Sequence, residues 1–218
     1  MAPILKKEVT ISGSGFSLAG ILSVPENSIG IVVFAHGSGS GRMSPRNRYV
    51  AEELNKNNCA TLLADLLTEE EDKAYETRFD IALLMKRLLL IIDWLKKQEE
   101  TKTLPLGIFG ASTGAAAALD AASLLGSDIS AVVSRGGRPD LSREYFSNIV
   151  SPVLLIVGSN DRDVLMLNKK TLPLVKNSIA KELKIIRGAT HLFEESGALE
   201  TVAKEAARWF QTHFNSEC

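Results

Sequence analysis

The sequence predicts an α/β fold in which a mostly parallel central sheet carries helices on both faces. Strand-like and helix-like segments alternate along the chain from residue 31 onwards. Residues 31–35 are apolar at every position, which is typical of a strand buried on both faces. Two alternating segments, 8–12 and 16–24, are separated by glycines and predict a β-hairpin. We expect this hairpin at the antiparallel edge of the sheet.

The remaining elements follow in chain order. Ser44 and Pro45 predict the start of a helix, with serine as the N-cap and proline at the first helical position. Apolar residues recur at three- and four-residue steps within 75–97, which is predicted to be the longest helix. Further strands are predicted at 59–66, 106–109, 129–134, 153–157 and 182–186, and further helices from 112, at 165–177 and at 198–214. With no internal repeat or linker in view, we expect one domain over residues 1–218.

Composition and charge argue against several classes of function. Hydrophobic residues at 45% and charged residues at 23% are ordinary values for a globular protein. A formal net charge of −1 provides no basic field for nucleic acid or for an anionic membrane. No run of about 18 apolar residues is present, and residues 1–9 do not resemble a signal peptide. We therefore expect a cytoplasmic protein in which Cys59 and Cys218 are reduced.

A Gly-x-Ser-x-Gly pattern runs from Gly110 to Gly114, between a predicted strand and an alanine-rich segment. The spacing is typical of an abrupt strand-to-helix turn that exposes a serine hydroxyl, because residues two before and two after the serine pack too closely to carry side chains. The turn also aims backbone N–H groups of a helix N-terminus at whatever the serine attacks. Ser112 is therefore predicted to be a nucleophile, and a tight structural turn is the alternative.

A nucleophilic serine needs a base and a carboxylate that orients the base. Ligands of parallel sheets bind beyond the carboxyl ends of the strands, and polar residues are predicted there: His36, Asp65, Ser112, Arg135, Asp161 and His191. The chain order Ser112, Asp161, His191 matches one known arrangement of such a triad. We predict His191 as the base and Asp161 as its partner, with Asp163 capping the following helix.

Other polar residues near these strand ends have more than one interpretation. His36 is predicted to fix the glycine-rich loop 37–41 through hydrogen bonds, with substrate binding as the alternative. Arg135 either binds a carboxylate of the substrate or pairs with Asp140, with Glu144 or with the acidic loop 69–72.

The loop 37–41, followed by Asp65, imitates a dinucleotide-binding loop, but Arg42 stands where the third glycine would be. A nucleotide-binding module is therefore a minor alternative. The three histidines are too few and too scattered for a metal site, and we expect neither a metal nor an organic cofactor.

Taken together, the motifs resemble those of α/β-hydrolases, and more narrowly of the dienelactone hydrolase-like branch. The resemblance spans nearly all of the chain and rests on FAHGSGSG at 34–41, DLLTEEE at 65–71, RFDI at 78–81, GASTG at 110–114, SRGGRPDL at 134–141 and GATH at 188–191. Some proteins of this kind are fused to phosphoribosyltransferase domains, and we expect no such fusion here.

This resemblance implies a sheet of about eight strands without a cap domain, and a Ser112–His191–Asp161 triad. It also implies an oxyanion hole formed by the backbone N–H of Thr113 and that of Gly37 or Ser38. Dienelactone hydrolases proper use a cysteine nucleophile, and the serine at this place favours a plain ester as substrate.

We predict a serine hydrolase that cleaves small, short-acyl carboxylic esters through an acyl-enzyme intermediate. The alternatives are a ligand-binding homologue without activity, or a hydrolase of dienelactones, other lactones or thioesters. The expected partner is a small-molecule ester, with no nucleic acid and no membrane. A homodimer through an edge strand or a helix is left open, as are the acyl and alcohol groups of the substrate.

Overall fold

The computed structural model describes residues 4–142 and 146–215. They form one eight-stranded sheet in the order β1-β2-β4-β3-β5-β6-β7-β8. The strands are β1 (Ile4–Ser12), β2 (Ser17–Pro25), β3 (Gly30–Ala35), β4 (Cys59–Ala64), β5 (Leu106–Ala111), β6 (Ala131–Arg135), β7 (Val153–Gly158) and β8 (Lys181–Ile186). The α-helices are α1 (Pro45–Lys56), α2 (Ile81–Leu95), α3 (Thr113–Leu125), α4 (Arg162–Thr171) and α5 (Ala198–Phe214).

The predicted architecture is confirmed. Strand β2 pairs antiparallel with β1 and with β4, and every other neighbouring pair is parallel. The strands from β3 to β7 are buried at every position, so both faces of the sheet are covered. Helices α2 and α3 contribute to one buried cluster, and α1 and α5 contribute to a second.

The helix predicted over 75–97 is shorter than expected. It begins after Asp80, whose carboxylate accepts a hydrogen bond from the N–H of Leu83 at 3.0 Å, and the preceding residues form a short 3₁₀ turn. It ends at Leu95, whose carbonyl accepts a hydrogen bond from the Thr101 hydroxyl at 2.7 Å. Among the described elements α5, with 17 residues, is the longest helix.

Two other predicted boundaries are also wrong. The helix predicted over 165–177 is α4, which begins at Arg162 and gives way to a 3₁₀ turn at Leu172–Leu174. Pro173 lacks the N–H that an α-helix needs there, which accounts for the early end. Strand β4 ends at Ala64, two residues before the predicted end, although the N–H of Asp65 still donates to the carbonyl of Ala19 in β2.

The turn from β5 into α3 brings the first turn of that helix against the end of β3. A Cβ atom at Gly114 would lie 2.2 Å from the carbonyl oxygen of Ala35, and one at Gly110 would lie 2.5 Å from the Cα of Ala115. Both distances are far below van der Waals contact. Glycine at these two positions therefore allows strand, turn and helix to pack as closely as they do.

The loop after β3 is held by His36, whose side chain is only 5% exposed. The Nε2 atom accepts a hydrogen bond from the N–H of Leu66 at 2.8 Å. The Nδ1 atom therefore carries the proton and donates to the carbonyl of Gly37, 3.0 Å away. This neutral ring joins the loop after β3 to the chain that leaves β4, and burial lowers its pKa.

The Gly114 contact makes a testable prediction. Gly114→Ala should lower the free energy of unfolding by about 2–3 kcal/mol, because the new methyl group must displace backbone rather than a flexible side chain. Denaturant unfolding followed by circular dichroism measures the change. Leu124→Ala, in the same helix but at a side chain that is 58% exposed, should change it by less than about 0.5 kcal/mol. Equal effects of the two substitutions would contradict the close-packing argument.

The buried neutral His36 predicts a pH dependence of stability. Its pKa is lowered in the folded protein, so below about pH 6.5 the unfolded chain takes up a proton that the folded protein does not. Stability should therefore fall as the pH decreases from about 7 to about 5. In His36→Gln this slope should be shallower by up to about 1.4 kcal/mol per pH unit. Urea unfolding of both proteins across this range measures it, and identical slopes would contradict the prediction.

Candidate active site

Ser112 stands at the apex of the turn between β5 and α3 with φ +50° and ψ −118°. A positive φ is uncommon for a residue with a side chain and is found preferentially at functional sites. The N–H of Ser112 donates to the carbonyl of Arg135 at 3.1 Å, and its carbonyl accepts from the N–H of Arg138 at 3.2 Å. The strained residue is thus held from both sides by the end of β6 and the loop that follows it.

The structure brings Ser112, His191 and Asp161 together. His191 Nε2 lies 3.3 Å from Ser112 Oγ, and His191 Nδ1 lies 2.6 Å from Asp161 Oδ2. Asp161 is mostly buried, whereas the imidazole is 37% exposed. The Asp161 carboxylate accepts a hydrogen bond from Nδ1–H, so Nε2 presents its lone pair to the serine hydroxyl.

Asp161 occupies the N-cap position of α4, but its carboxylate makes no capping hydrogen bond because it is turned to His191. Asp163 lies within the first turn of α4, so the prediction that it caps the helix is wrong. Asp65, which follows β4, accepts hydrogen bonds from the backbone N–H and the guanidinium of Arg42. Of the three aspartates considered from the sequence, only Asp161 contacts His191.

The loop that carries His191 contains contacts that the sequence analysis did not identify. The N–H and hydroxyl of Thr190 donate to Glu195 Oε1 at 3.0 and 2.6 Å, and the hydroxyl contact in particular lowers the pKa of Glu195. A Cβ atom at Gly136 would lie 3.3 Å from the imidazole ring. Phe193 is fully buried with φ +57°. The glycine pair that follows Arg135 in the sequence could have indicated a close approach such as the one between Gly136 and the imidazole. No neighbouring residue in the sequence indicated that Glu195 would bind Thr190.

Two backbone N–H groups beside Ser112 have no hydrogen-bond acceptor within residues 4–142 and 146–215. They belong to Thr113, the first residue of α3, and to Gly37. Gly37 is packed against the turn, since a Cβ atom there would lie 3.0 Å from Ser112 Cβ. The N–H of Ser38, by contrast, donates to the Thr113 hydroxyl oxygen at 2.9 Å. The N–H groups of Gly37 and Ser38, between which the sequence left a choice, therefore differ in their hydrogen bonding within the described residues.

Arg135 lies at the end of β6 and is only 8% exposed. Its Nη2 reaches Asn47 Oδ1 at a long 3.5 Å, its guanidinium carbon lies 5.9 Å from the centre of the Phe193 ring, and its buried Nε has no acceptor in the described part of the chain. Burial, together with the nearby charge of Arg46, lowers the pKa of Arg135 to about 10. These contacts place the guanidinium under the His191 loop.

The predicted pairing of Arg135 with Asp140 does not occur. Asp140 instead pairs with Arg138, whose Nε and Nη2 donate to its two carboxylate oxygens at 2.8 and 2.7 Å. Glu144, another predicted partner, lies outside the described residues, as does Cys218. Cys59 is a free, buried thiol, and burial raises its pKa to about 12.

A cavity of about 240 Å³ lies between the loops that follow β3 and β4. Its lining includes His36, Ser40, Arg42, Met43 and Asp65. Both ring nitrogens of His36 are engaged by backbone groups, so this side chain contributes only its carbon edge to the wall. The described residues contain no group of three or more His, Cys, Asp or Glu side chains placed to hold a metal ion. Nor do they include a helix that is long and apolar enough to cross a bilayer.

Known proteins with similar sequences fall into two groups by length. Two proteins of Mycobacterium tuberculosis, from strains CDC 1551 and H37Rv, are each 51% identical to this chain over 211 residues, and both carry the name "Putative phosphoribosyl transferase". The matched region is 97% of this chain but 47% of each relative, so the chain spans about half the length of the curated relatives it matches. A dienelactone hydrolase from Anabaena variabilis is 47% identical and matches along nearly all of both chains.

Solved structures show the same fold. The Anabaena variabilis crystal structure superposes with a TM-score of 0.93 over 96% of this chain and 98% of that one. Est1E from Butyrivibrio proteoclasticus gives 0.82 at 17% identity, with 96% and 99% of the two chains covered. The esterase Pf2001 from Pyrococcus furiosus gives 0.77 at 20% identity, with 97% and 92% covered. At 17% and 20% identity, the last two comparisons show similarity of the α/β-hydrolase fold alone.

The family model of the dienelactone hydrolases matches residues 18–215, which include every strand from β3 to β8 and the residues Ser112, Asp161 and His191. The chain belongs to the dienelactone hydrolase family.

Proposed function

We propose that this protein is a serine hydrolase that cleaves small carboxylic esters through a Ser112–His191–Asp161 triad. The observation that carries the proposal is the continuous line of contacts from Ser112 Oγ to His191 Nε2 at 3.3 Å and from His191 Nδ1 to Asp161 Oδ2 at 2.6 Å. Membership of a hydrolase family and similarity to esterase structures support the reaction class.

In the proposed mechanism His191 takes the proton of Ser112 as the hydroxyl oxygen attacks the ester carbonyl. Asp161 holds the imidazole in the correct tautomer and stabilises the imidazolium that forms. The imidazolium then protonates the leaving alcohol, and an acyl-enzyme remains. Water, activated by the same histidine, releases the acid and restores Ser112.

The N–H groups of Thr113 and Gly37 are proposed to bind the oxyanion that forms during each attack. Both lack acceptors within the described residues and both flank Ser112. The N-terminal end of α3 adds a partial positive charge at this place. Each such donor contributes about 3 kcal/mol to lowering the barrier in hydrolases where one has been removed.

The proposed substrate is an ester with a short acyl chain. The described helices and strands include no cap domain over the sheet edge that carries Ser112, so the acyl chain would lie in a shallow, open site. Lactones and thioesters react by the same sequence of steps, and the family name makes a lactone the first alternative to test. The name of the Mycobacterium tuberculosis relatives is carried by proteins about twice as long as this chain, and the match covers 47% of each of them.

Further proposals concern the setting in which the enzyme works. We propose that residues 1–218 form one domain that acts in the cytoplasm on a small-molecule ester, with no nucleic acid and no membrane as partner. The net charge of −1 and the free, buried Cys59 support this setting. The ester substrate would make no use of His36, whose ring nitrogens are both engaged.

Replacing the nucleophile tests the proposed function. Ser112→Ala should lower kcat on p-nitrophenyl acetate by at least about 10⁴-fold, because no other group can form the acyl-enzyme. A fluorophosphonate probe should label the wild-type protein at Ser112 and leave this variant unlabelled. Ser123→Ala, further along α3, removes a hydroxyl that only contacts the carbonyl of Asp120 and should keep wild-type activity and labelling. A wild-type protein that the probe does not label would overturn the proposal.

The open edge of the sheet predicts a preference for short acyl chains. Along a series of p-nitrophenyl esters from acetate to decanoate, kcat/KM should be highest at two to four carbons and should fall roughly 10-fold or more at the longest chains. The described helices and strands include no cap domain over this edge, so methylene groups far from the ester would stay in contact with water and gain little from burial. Initial rates measured below the solubility limit of each ester, with Ser112→Ala as the blank, provide the comparison. A maximum at eight or more carbons would contradict the proposed substrate class.

A further inference from the structure

We infer that the side-chain hydroxyl of Thr113 is a third donor to the oxyanion, alongside the two backbone N–H groups. The inference rests on the proposed function and extends it, because it assigns a catalytic role to a side chain at a position where only the backbone was expected to act.

The first observation is the orientation of this hydroxyl. Its oxygen accepts a hydrogen bond from the N–H of Ser38 at 2.9 Å, and the Thr113 side chain is 2% exposed. Ser38 lies in the loop after β3, and Thr113 begins α3 on the other side of Ser112. The contact therefore spans the site and holds the hydroxyl oxygen in one position between the two segments.

The second observation is the hydroxyl proton. A threonine hydroxyl both accepts and donates, and here only the accepting side is used. Within residues 4–142 and 146–215 the Thr113 Oγ1–H group has no acceptor. The proton of the Thr113 hydroxyl is therefore available to an acceptor that enters the site.

The third observation is the position of the oxygen. Bond lengths alone keep a threonine Oγ1 within roughly 4 Å of the backbone nitrogen of the same residue. The Thr113 hydroxyl therefore lies beside the Thr113 N–H, which is a proposed oxyanion donor, and within 2.9 Å of Ser38 N. Gly37, the source of the other backbone donor, directly precedes Ser38 and packs against Ser112.

These contacts connect the Ser38 N–H to the oxyanion through the Thr113 hydroxyl. As the Ser112 Oγ–carbon bond forms, the π bond of the carbonyl breaks and its electron pair moves to the carbonyl oxygen. The Thr113 hydroxyl donates a hydrogen bond to that oxygen and keeps its proton. The Ser38 N–H, which points at the Thr113 oxygen, polarises the hydroxyl and so acts on the oxyanion through it. When the carbonyl re-forms, the hydrogen bond weakens and no proton has been transferred.

The test compares Thr113→Val, which keeps the branched shape and removes the hydroxyl, with Thr113→Ser, which keeps the hydroxyl and removes the methyl group. We expect Thr113→Val to lower kcat on p-nitrophenyl acetate about 100-fold, as the loss of one oxyanion donor does elsewhere, with KM changed less than about threefold. Thr113→Ser should recover kcat to within about fivefold of the wild-type value. Active-site titration with the fluorophosphonate probe, carried to completion, corrects each rate for the fraction of folded protein.

Two results would overturn the inference and leave the proposed function intact. One is a Thr113→Val variant with kcat within threefold of the wild type or above it, which would mean that the Ser38 N–H, once released, serves the oxyanion as well as the hydroxyl does. The other is equal impairment of Thr113→Ser and Thr113→Val, which would assign the effect to packing of the methyl group. If Thr113→Val does not fold, Thr113→Ala provides the same comparison. A wild-type protein that neither hydrolyses esters nor reacts with the probe would overturn both proposals.

Discussion

The site depends above all on the close approach of α3 to the end of β3. Without a side chain at Gly114, the helix packs where a Cβ atom would lie 2.2 Å from the carbonyl oxygen of Ala35. That approach puts Thr113 beside Ser38 and Ser112 beside Gly37, on two chain segments about 75 residues apart. A side chain at position 114 would separate Ser112 from the loop that carries Gly37, the proposed second oxyanion donor. The geometry of the site is therefore set by backbone packing before any polar contact is made.

Parallel pairing then aligns the remaining groups. Ala35 pairs with Gly110, Ala111 with Arg135, Arg135 with Ile156, and Gly158 with Ile186, so these strands end along one edge of the sheet. Ser112, Asp161 and His191 are contributed by the loops at this edge, and β6 lies between the strands that precede the first two. The end of β6 contributes to the site through its backbone. The carbonyl of Arg135 accepts a hydrogen bond from the Ser112 N–H, and the absence of a side chain at Gly136 leaves room for the imidazole.

The sequence predicted the sheet, the hairpin at its edge and the candidate triad, because each depends on local pattern and chain order. Residues 31–35 have the pattern of a buried strand, and Ser112 and Asp161 each follow another strand that is buried at every position. His191 follows β8, the half-buried strand at the end of the sheet. Helix ends were harder to predict, since the start of α2 depends on Asp80 as a cap and on Arg78, whose side chain binds Asp72 in the preceding turn. The donation from Ser38 N–H to Thr113 could not be predicted, because it joins residues that only the folded chain brings together.

Two residues in and beside the proposed triad have a strained backbone, and contacts with neighbouring segments keep both of them in that conformation. Ser112 has φ +50° and Phe193 has φ +57°, and each conformation costs about 1–3 kcal/mol. The first is fixed by the end of β6 and the loop that follows it, and the second by complete burial of the phenyl ring above the Arg135 guanidinium. Because relaxing either residue would require repacking these contacts, Ser112 and His191 are held near each other before a substrate arrives. Such preorganisation is what makes oxyanion donors effective, since they need not reorganise as charge develops.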